Sequence, residues 1–264
     1  MTLTPPATGR PRPSEVLTAG LDRGRRARDL VERLIAEPER LGPDFQPIRR
    51  LQSALPSTAP LVGWKASARG ERGTVAADAM QLLEQASSVG LVERLDWAFR
   101  CHAFDVAIDA GLVGELHLTP EPETFGGACP PRLAVSWLRG RRALDVCAEL
   151  HADAFADEAR LLAAAEEMTG WGWHLVVADV SRHDVAEVAL RLLPRLRPAY
   201  VHLSTAAPAL DADPVRRYLD AAAEAGARVI AIDVATQAQL DGAIALGAAY
   251  GRGPLIGPVT NLPR

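Results

Sequence analysis

Lysine is almost absent from this chain of 264 residues, because Lys65 is its only one and the other basic side chains are arginines. Acidic groups outnumber basic ones by 33 to 29, and the arginines are scattered and matched by acids. A nucleic-acid-binding surface needs a concentrated basic patch. The charge pattern therefore predicts no nucleic-acid partner.

Long apolar segments and paired cysteines are missing as well. The sequence offers no membrane-spanning stretch, and its polar, proline-rich start lacks the apolar region of a secretory signal. Cys101, Cys129 and Cys147 form no CxxC pair, and their odd number argues against a disulfide framework. With 48% hydrophobic residues, the chain is typical of a globular protein. We expect a cytoplasmic protein with one barrel-sized domain and no membrane partner.

Local patterns divide the chain into three parts. Residues 1–13 are proline-rich and polar, which predicts a disordered tail. Residues 14–42 begin with an N-capping serine and carry apolar side chains at helical spacing, which predicts an N-terminal helix. This helix either packs on the following domain or serves as a dimer or partner helix. Residues 43–264 form the main domain.

Residues 227–257 contain a complete strand, helix and strand. A β-branched apolar run at 228–232 predicts a buried strand, Thr236 is placed to cap a helix, and Gly247 is placed to end it. A second short strand follows, which is the repeat of parallel α/β folds. The loop after the first strand of such a unit is where a functional site is expected.

Several segments carry the motifs of one known family. AIDVAT at 231–236 and ALGAAYGRGPLIG at 245–257 match the patterns AEG(V/I)ET and LGxxxGQG(Y/W)LFG without a gap, and FQPI at 45–48 and LVGWKASAR at 61–69 also match. The chain thus resembles the EAL family of cyclic di-GMP phosphodiesterases over most of its length. The resemblance implies an α/β fold, an EAL-type (β/α) TIM-like barrel with one antiparallel strand, here with an added N-terminal helix.

The matched positions lack the family's reactive groups. The resemblance implies a hydrolytic site with several oxygen ligands around two metal ions and a nearby lysine. Seven of the family's site positions hold a different residue in this chain. In chain order, the family has glutamate, asparagine, aspartate, lysine, glutamate, glutamate and glutamine there. This chain has Lys65, Thr119, Ala178, His202, Ile232, Ala235 and Arg252. Only Glu149 and Asp179 keep the family's acids. We therefore expect a degenerate site with no catalytic residue, no metal ion and no cofactor.

Lys65 stands where the family holds a metal ion. Two positive charges in one low-dielectric pocket repel each other, so this lysine opposes metal binding. We expect Lys65 and Arg252 to pair with Glu149 and Asp179 across the cavity, and the alternative is that Lys65 extends to solvent. A new zinc site is a further alternative, although a lone histidine on a strand is more often structural; the candidates are His117, His151, His174 and His202.

Gln46 and Arg69 match family positions that contact the guanine and the phosphate of cyclic di-GMP. A receptor that binds the nucleotide without hydrolysing it is therefore one hypothesis. The alternative is that Gln46 closes its strand and that Arg69 pairs with an acid such as Glu149. We favour this second interpretation.

The sequence therefore favours a catalytically inactive EAL-like protein that acts in bacterial signalling or regulation through protein–protein contacts. The partner is unknown, and a homodimer is one form that such a contact can take. Two alternatives remain open, a cyclic di-GMP receptor without hydrolysis and a residual cyclic di-GMP phosphodiesterase.

Overall fold

A computed structural model of the chain describes residues 13–51, 56–71, 73–74, 76–178, 183–206 and 213–262. Within these ranges, eight strands close into a barrel in sequence order and helices surround it. The predicted α/β barrel with an N-terminal helix is therefore confirmed. The predicted tail lies outside the described residues except for Pro13, where the helix begins, and the division at residue 42 stays a prediction.

The barrel contains one antiparallel strand. β1 (Gly42–Arg50) runs antiparallel to both of its neighbours, β2 (Leu61–Arg69) and β8 (Tyr250–Gly251), and the other adjacent pairs are parallel. This is the arrangement that the family resemblance implies. The strands are β1 (Gly42–Arg50), β2 (Leu61–Arg69), β3 (Glu115–Leu118), β4 (Asp145–Leu150), β5 (His174–Val177), β6 (Tyr200–Ser204), β7 (Arg228–Ile232) and β8 (Tyr250–Gly251).

The described helices lie outside the barrel, and none of them is long and apolar enough to cross a membrane. Thr236 caps α8 as predicted, because its hydroxyl accepts from the backbone of Gln239 while the Gln239 side chain accepts from the backbone of Thr236. Gly247, with a φ of 86°, follows the end of that helix. The helices are α1 (Pro13–Ala36), α2 (Ala79–Ser88), α3 (Val92–Asp109), α4 (Ala134–Ala143), α5 (Glu158–Gly170), α6 (His183–Leu196), α7 (Asp213–Glu224) and α8 (Gln237–Ala245).

Two apolar clusters hold the fold together. The larger one lies between the barrel and the helices, and Val31, Leu34 and Ile35 of α1 are buried in it, so this helix packs on the barrel. The smaller one fills part of the barrel interior and consists of Ile48, Cys147, Val176, Tyr200, Ile230 and Tyr250. Because side chains alternate along a strand, residues two apart from these members also face the interior.

An aromatic cluster fixes the contact between α3, α4 and the start of β5. Trp137 lies at its centre, with ring centroids 5.1 Å from Trp97, 5.9 Å from Phe104 and 5.4 Å from Trp173. Gly140 allows this close approach, because a Cβ atom there would lie 2.1 Å from the Phe104 ring. The helix can therefore pack here only without a side chain at this position.

We predict that Gly140→Ala destabilises the fold by about 1–3 kcal/mol through overpacking against Phe104. Gly170→Ala is the matched control, because it is also helical but has no neighbour within 4 Å of the new methyl group. Its higher helix propensity leaves the free energy of unfolding unchanged or raises it by up to about 1 kcal/mol. Urea unfolding followed by tryptophan fluorescence measures both, and equal effects of the two substitutions would contradict the packing argument.

Candidate functional site

A buried ion pair lies at the carboxyl ends of the parallel strands. Lys65 of β2 places its Nζ atom 2.7 Å from Oε2 of Glu149 on β4, and the two residues are only 8% and 3% exposed. Lys65 also donates to the hydroxyl of Thr119, which lies 3.3 Å from the same carboxylate oxygen. Lys65 therefore does not extend to solvent, and the expected pairing with Glu149 forms.

The second oxygen of Glu149 faces two histidines. Oε1 lies 3.4 Å from Nδ1 of His117 and 3.6 Å from Nε2 of His202, and these distances are longer than a well-formed hydrogen bond. All three side chains are buried. One carboxylate is thus surrounded by an ammonium, a hydroxyl and two imidazoles.

The protonation equilibria of these groups depend on burial and on each other. Burial alone would raise the pKa of Glu149, but the charge of Lys65 and the nearby histidines hold it well below its usual value. Burial lowers the pKa of Lys65, and Glu149 opposes that effect. Burial also lowers the pKa of His202 to about 3. His202 is therefore neutral near pH 7 and carries no positive charge.

The remaining substituted positions offer no acidic ligand. Ala178 follows β5 and is buried, and Ile232 ends β7. Ala235 is exposed, and its backbone N–H donates to Gln239. Arg252 follows β8, where its positive charge acts on Lys65 and Glu149.

Two hard cations do not fit the residues at these positions. Glu149 is the one matched acid among the described residues, and its Oε2 atom is already engaged by Lys65. Magnesium requires near-octahedral oxygen coordination, and a buried ammonium repels it. Asp179 lies outside the described residues, so its expected pairing stays a prediction.

Arg69 pairs with an acid, as we expected, but the acid is Asp44 and not Glu149. Its Nε atom lies 3.0 and 3.1 Å from the two carboxylate oxygens of Asp44. The reason is the strand register of β1 and β2, because the register partner of Arg69 is Gly42 and Asp44 lies two residues further along the same face of β1. Gln46 donates to the backbone carbonyl of Gly257 over 3.4 Å, and its structural role stays a prediction.

Two small cavities meet at Lys65. One has a volume of about 220 Å³ and is lined by Gln46, Lys65, Arg69 and Arg252, among others. The other has a volume of about 310 Å³ and extends between β2, α2 and α3 with mainly apolar walls. Ligand pockets usually have volumes of about 300–1,000 Å³, so the cavity with the predicted nucleotide-binding residues is small even for a single small molecule.

The four histidines considered for a zinc site do not share one set of partners. His151 lies 3.4 Å from Glu121, and the partly exposed His174 lies 3.2 Å from Asp145. Only His117 and His202 approach a common group. This arrangement does not support a site built from all four.

Sequence reasoning missed a polar group deeper in the barrel. Glu115 accepts a hydrogen bond from the hydroxyl of Tyr200 at 2.8 Å and lies 3.2 Å from Nε2 of His117. Cys147 lies opposite His117 in the strand register. The spacing of two residues between Glu115 and His117, and between Cys147 and Glu149, was the available signal, because it places each pair on the same face of its strand.

No protein-family model and no curated protein matches the sequence. Among solved structures, the phosphodiesterase PaMucR in complex with c-di-GMP has a TM-score of 0.69 at 19% identity, covering 84% of this chain and 97% of that one. The EAL domain of Xanthomonas citri FimX in complex with c-diGMP has a TM-score of 0.72 at 16% identity, covering 93% and 97%. The chain has the EAL-domain fold.

A third structure with this fold is larger. Vibrio cholerae LapD, as an apo S helix, GGDEF and EAL fragment, has a TM-score of 0.70 at 16% identity, covering 88% of this chain and 57% of that one.

The backbone at Asp233 supports the motif alignment. Asp233 has a φ of 61°, and the family pattern has glycine at the matching position. That backbone region is costly for most side chains but accessible to aspartate. The loop thus has a backbone conformation that favours glycine, with an aspartate at this position.

We predict that Lys65→Met lowers the free energy of unfolding by about 3–5 kcal/mol, because it leaves the Glu149 carboxylate buried without its cation. The double variant Lys65→Met/Glu149→Gln recovers most of this loss, since no unpaired charge then remains. Arg191→Met, which breaks an exposed pair with Glu158, is the control and has little effect. Denaturant unfolding measures all three, and a Lys65→Met variant as stable as the original chain would contradict the prediction.

Proposed function

We propose that this chain is a degenerate EAL domain that does not hydrolyse cyclic di-GMP. The contact of 2.7 Å between Lys65 and Glu149 is the observation that carries the proposal. Metal-assisted hydrolysis needs cations that activate water and stabilise the developing charge. Here an ammonium lies at the metal-ligand position, the neutral His202 replaces the lysine, and Ala178 replaces an aspartate. Each of these changes removes a different part of the chemistry.

Cyclic di-GMP signalling is the process that we assign to the chain. PaMucR and the FimX EAL domain, which share its fold, were both solved in complex with this nucleotide. Their identities of 19% and 16% are low, so the assignment depends on the motif resemblance together with the fold. We infer a cytoplasmic bacterial regulator.

Protein–protein contact is the mode of action that we favour. Val135 and Leu138 of α4 are 73% and 47% exposed, and with Ile108 and Arg142 they line a groove of about 420 Å³. Exposed apolar side chains that adjoin one another are typical of interaction surfaces. A protein partner, either a different protein or a second copy of this chain, would bury these side chains.

Affinity capture from the native cell tests this mode of action. We expect Val135→Asp/Leu138→Asp to lose the captured partner, because two charges would have to be buried in the contact. Val113→Asp is the control, since Val113 is equally exposed but does not line the groove. Equal capture by the original chain and by the double variant would contradict this surface. A measurement of molecular mass in solution distinguishes a homodimer from a different partner.

The purified chain should show no hydrolysis of cyclic di-GMP with Mg²⁺ or Mn²⁺. Lys65→Glu alone should also be inactive, because the other ligands and the lysine are still missing. Liquid chromatography of the reaction products measures both. Metal-dependent turnover that is abolished by Glu149→Ala would overturn the proposal and favour a residual phosphodiesterase.

A receptor without hydrolysis remains the second candidate, because Lys65, Arg69 and Arg252 bring three cationic groups to one cavity. Such groups bind phosphate through charge-assisted hydrogen bonds. We nevertheless expect no binding, since Arg69 is already paired with Asp44 and the cavity measures only about 220 Å³. Isothermal titration with cyclic di-GMP distinguishes a receptor from a chain that does not bind the nucleotide. A dissociation constant in the low micromolar range, corresponding to about −8 kcal/mol, that is lost on Arg69→Ala would make the receptor the preferred function.

A further inference from the structure

Three metal-ligating side chains meet inside the barrel, on the far side of Glu149 from Lys65. They are Glu115 and His117 of β3 and Cys147 of β4, and one ligand atom from each lies within 4.8 Å of the other two. His117 and Cys147 are fully buried. We propose that these three residues bind one divalent transition-metal ion of the zinc class.

The strand register brings the three groups together. Glu115 and His117 are two residues apart, so they share one face of β3, and Cys147 is the register partner of His117 on β4. Nε2 of His117 lies 3.2 Å from Oε2 of Glu115. Around a tetrahedral ion with bonds of about 2.0–2.3 Å, the ligand atoms are separated by about 3.3–3.7 Å. The side chains therefore need only small movements to close on an ion.

Charge balance favours a divalent ion in this interior. The carboxylate of Glu115 and the thiolate of Cys147 together carry two negative charges, and His117 binds as a neutral imidazole. An ion with two positive charges makes the site neutral, which avoids the cost of an isolated buried charge. On binding, the metal–sulfur bond replaces the S–H bond of Cys147, and this proton leaves to solvent. His117 coordinates through the lone pair of Nε2, and the one proton of its neutral ring lies on Nδ1.

Groups behind the ligands are placed to orient them. Metal-bound histidines usually donate their other ring N–H to a carboxylate, and Nδ1 of His117 faces Oε1 of Glu149 at 3.4 Å. Glu115 is held by the Tyr200 hydroxyl at 2.8 Å, and Tyr200 in turn accepts from Arg228 at 2.7 Å. Glu115 thus already has its supporting contact, and Nδ1 of His117 faces the carboxylate that would support it.

The donor set selects the class of ion. Thiolate and imidazole suit zinc and similar transition metals, whereas magnesium and calcium prefer oxygen ligands. Three protein ligands leave a fourth position for a water molecule. Glu115 is the first residue of β3, and its side chain is 16% exposed, which gives the site a path to solvent at the amino-terminal end of the strands. The site is separate from the positions of the family's metal ions and does not depend on the proposed function.

Metal content and cobalt spectroscopy on the full chain test this proposal. After removal of metals with a chelator, we expect the chain to take up one Zn²⁺ and to show a thiolate-to-cobalt absorption band with Co²⁺. Cys147→Ser should lose this band and bind Zn²⁺ at least about tenfold more weakly. Cys101→Ser and Cys129→Ser are matched controls that should keep both properties, because neither thiol belongs to the site.

A second variant tests the site with all three ligands intact, in case Cys147→Ser does not fold. Tyr200→Phe removes the hydroxyl that donates to Glu115 and accepts from Arg228 but leaves the three ligands in place, so the cobalt band should persist while the affinity for Zn²⁺ falls by about 10–100-fold. The absence of stoichiometric Zn²⁺ uptake would overturn the proposal. So would a cobalt band that survives Cys147→Ser, or an unchanged affinity in Tyr200→Phe.

Discussion

A charge buried inside a barrel must be neutralised by its neighbours, and this constraint shapes the site. Lys65 and Glu149 are almost fully buried, and each would be costly to bury alone. At 2.7 Å they neutralise each other, and Thr119 provides a further hydrogen-bonding partner for Lys65. The presence of Lys65 and the presence of Glu149 are therefore linked. A lone lysine at this position would be unstable without the remaining acid.

A continuous polar network extends from Glu149 down the barrel axis, and the same constraint applies to its members. Glu149 faces His117, and His117 contacts Glu115. Glu115 accepts a hydrogen bond from Tyr200, and Tyr200 accepts one from Arg228 near the amino-terminal end of the strands. Such a network is favourable only when its members are satisfied. The weakest link lies between His117 and Glu149, where the 3.4 Å separation leaves two buried polar atoms without a good hydrogen bond. An ion bound on the other side of the imidazole would fix its orientation and strengthen that contact.

Much of the fold followed from the sequence, because local signals and motif spacing were sufficient. The capping box at Thr236 and the strand Leu61–Arg69 both lie where the sequence places them. The partner of Arg69 could not be found in this way, because it depends on how β1 and β2 align. The contact between Tyr200 and Glu115 joins residues that are 85 positions apart, so it exists only after the barrel closes. Local patterns contain no information on such pairs.

Lys65 also changes how negative charge at the carboxyl ends of the strands is neutralised. A site of several carboxylates repels itself without metal ions, because like charges share a low-dielectric pocket. In this chain Ala178 and Ile232 carry no charge, and the amino group of Lys65 lies 2.7 Å from the carboxylate of Glu149. The carboxyl ends of the strands can therefore pack without metal ions. The same pairing engages Oε2 of Glu149, so a cation could bind this oxygen only by displacing the amino group of Lys65.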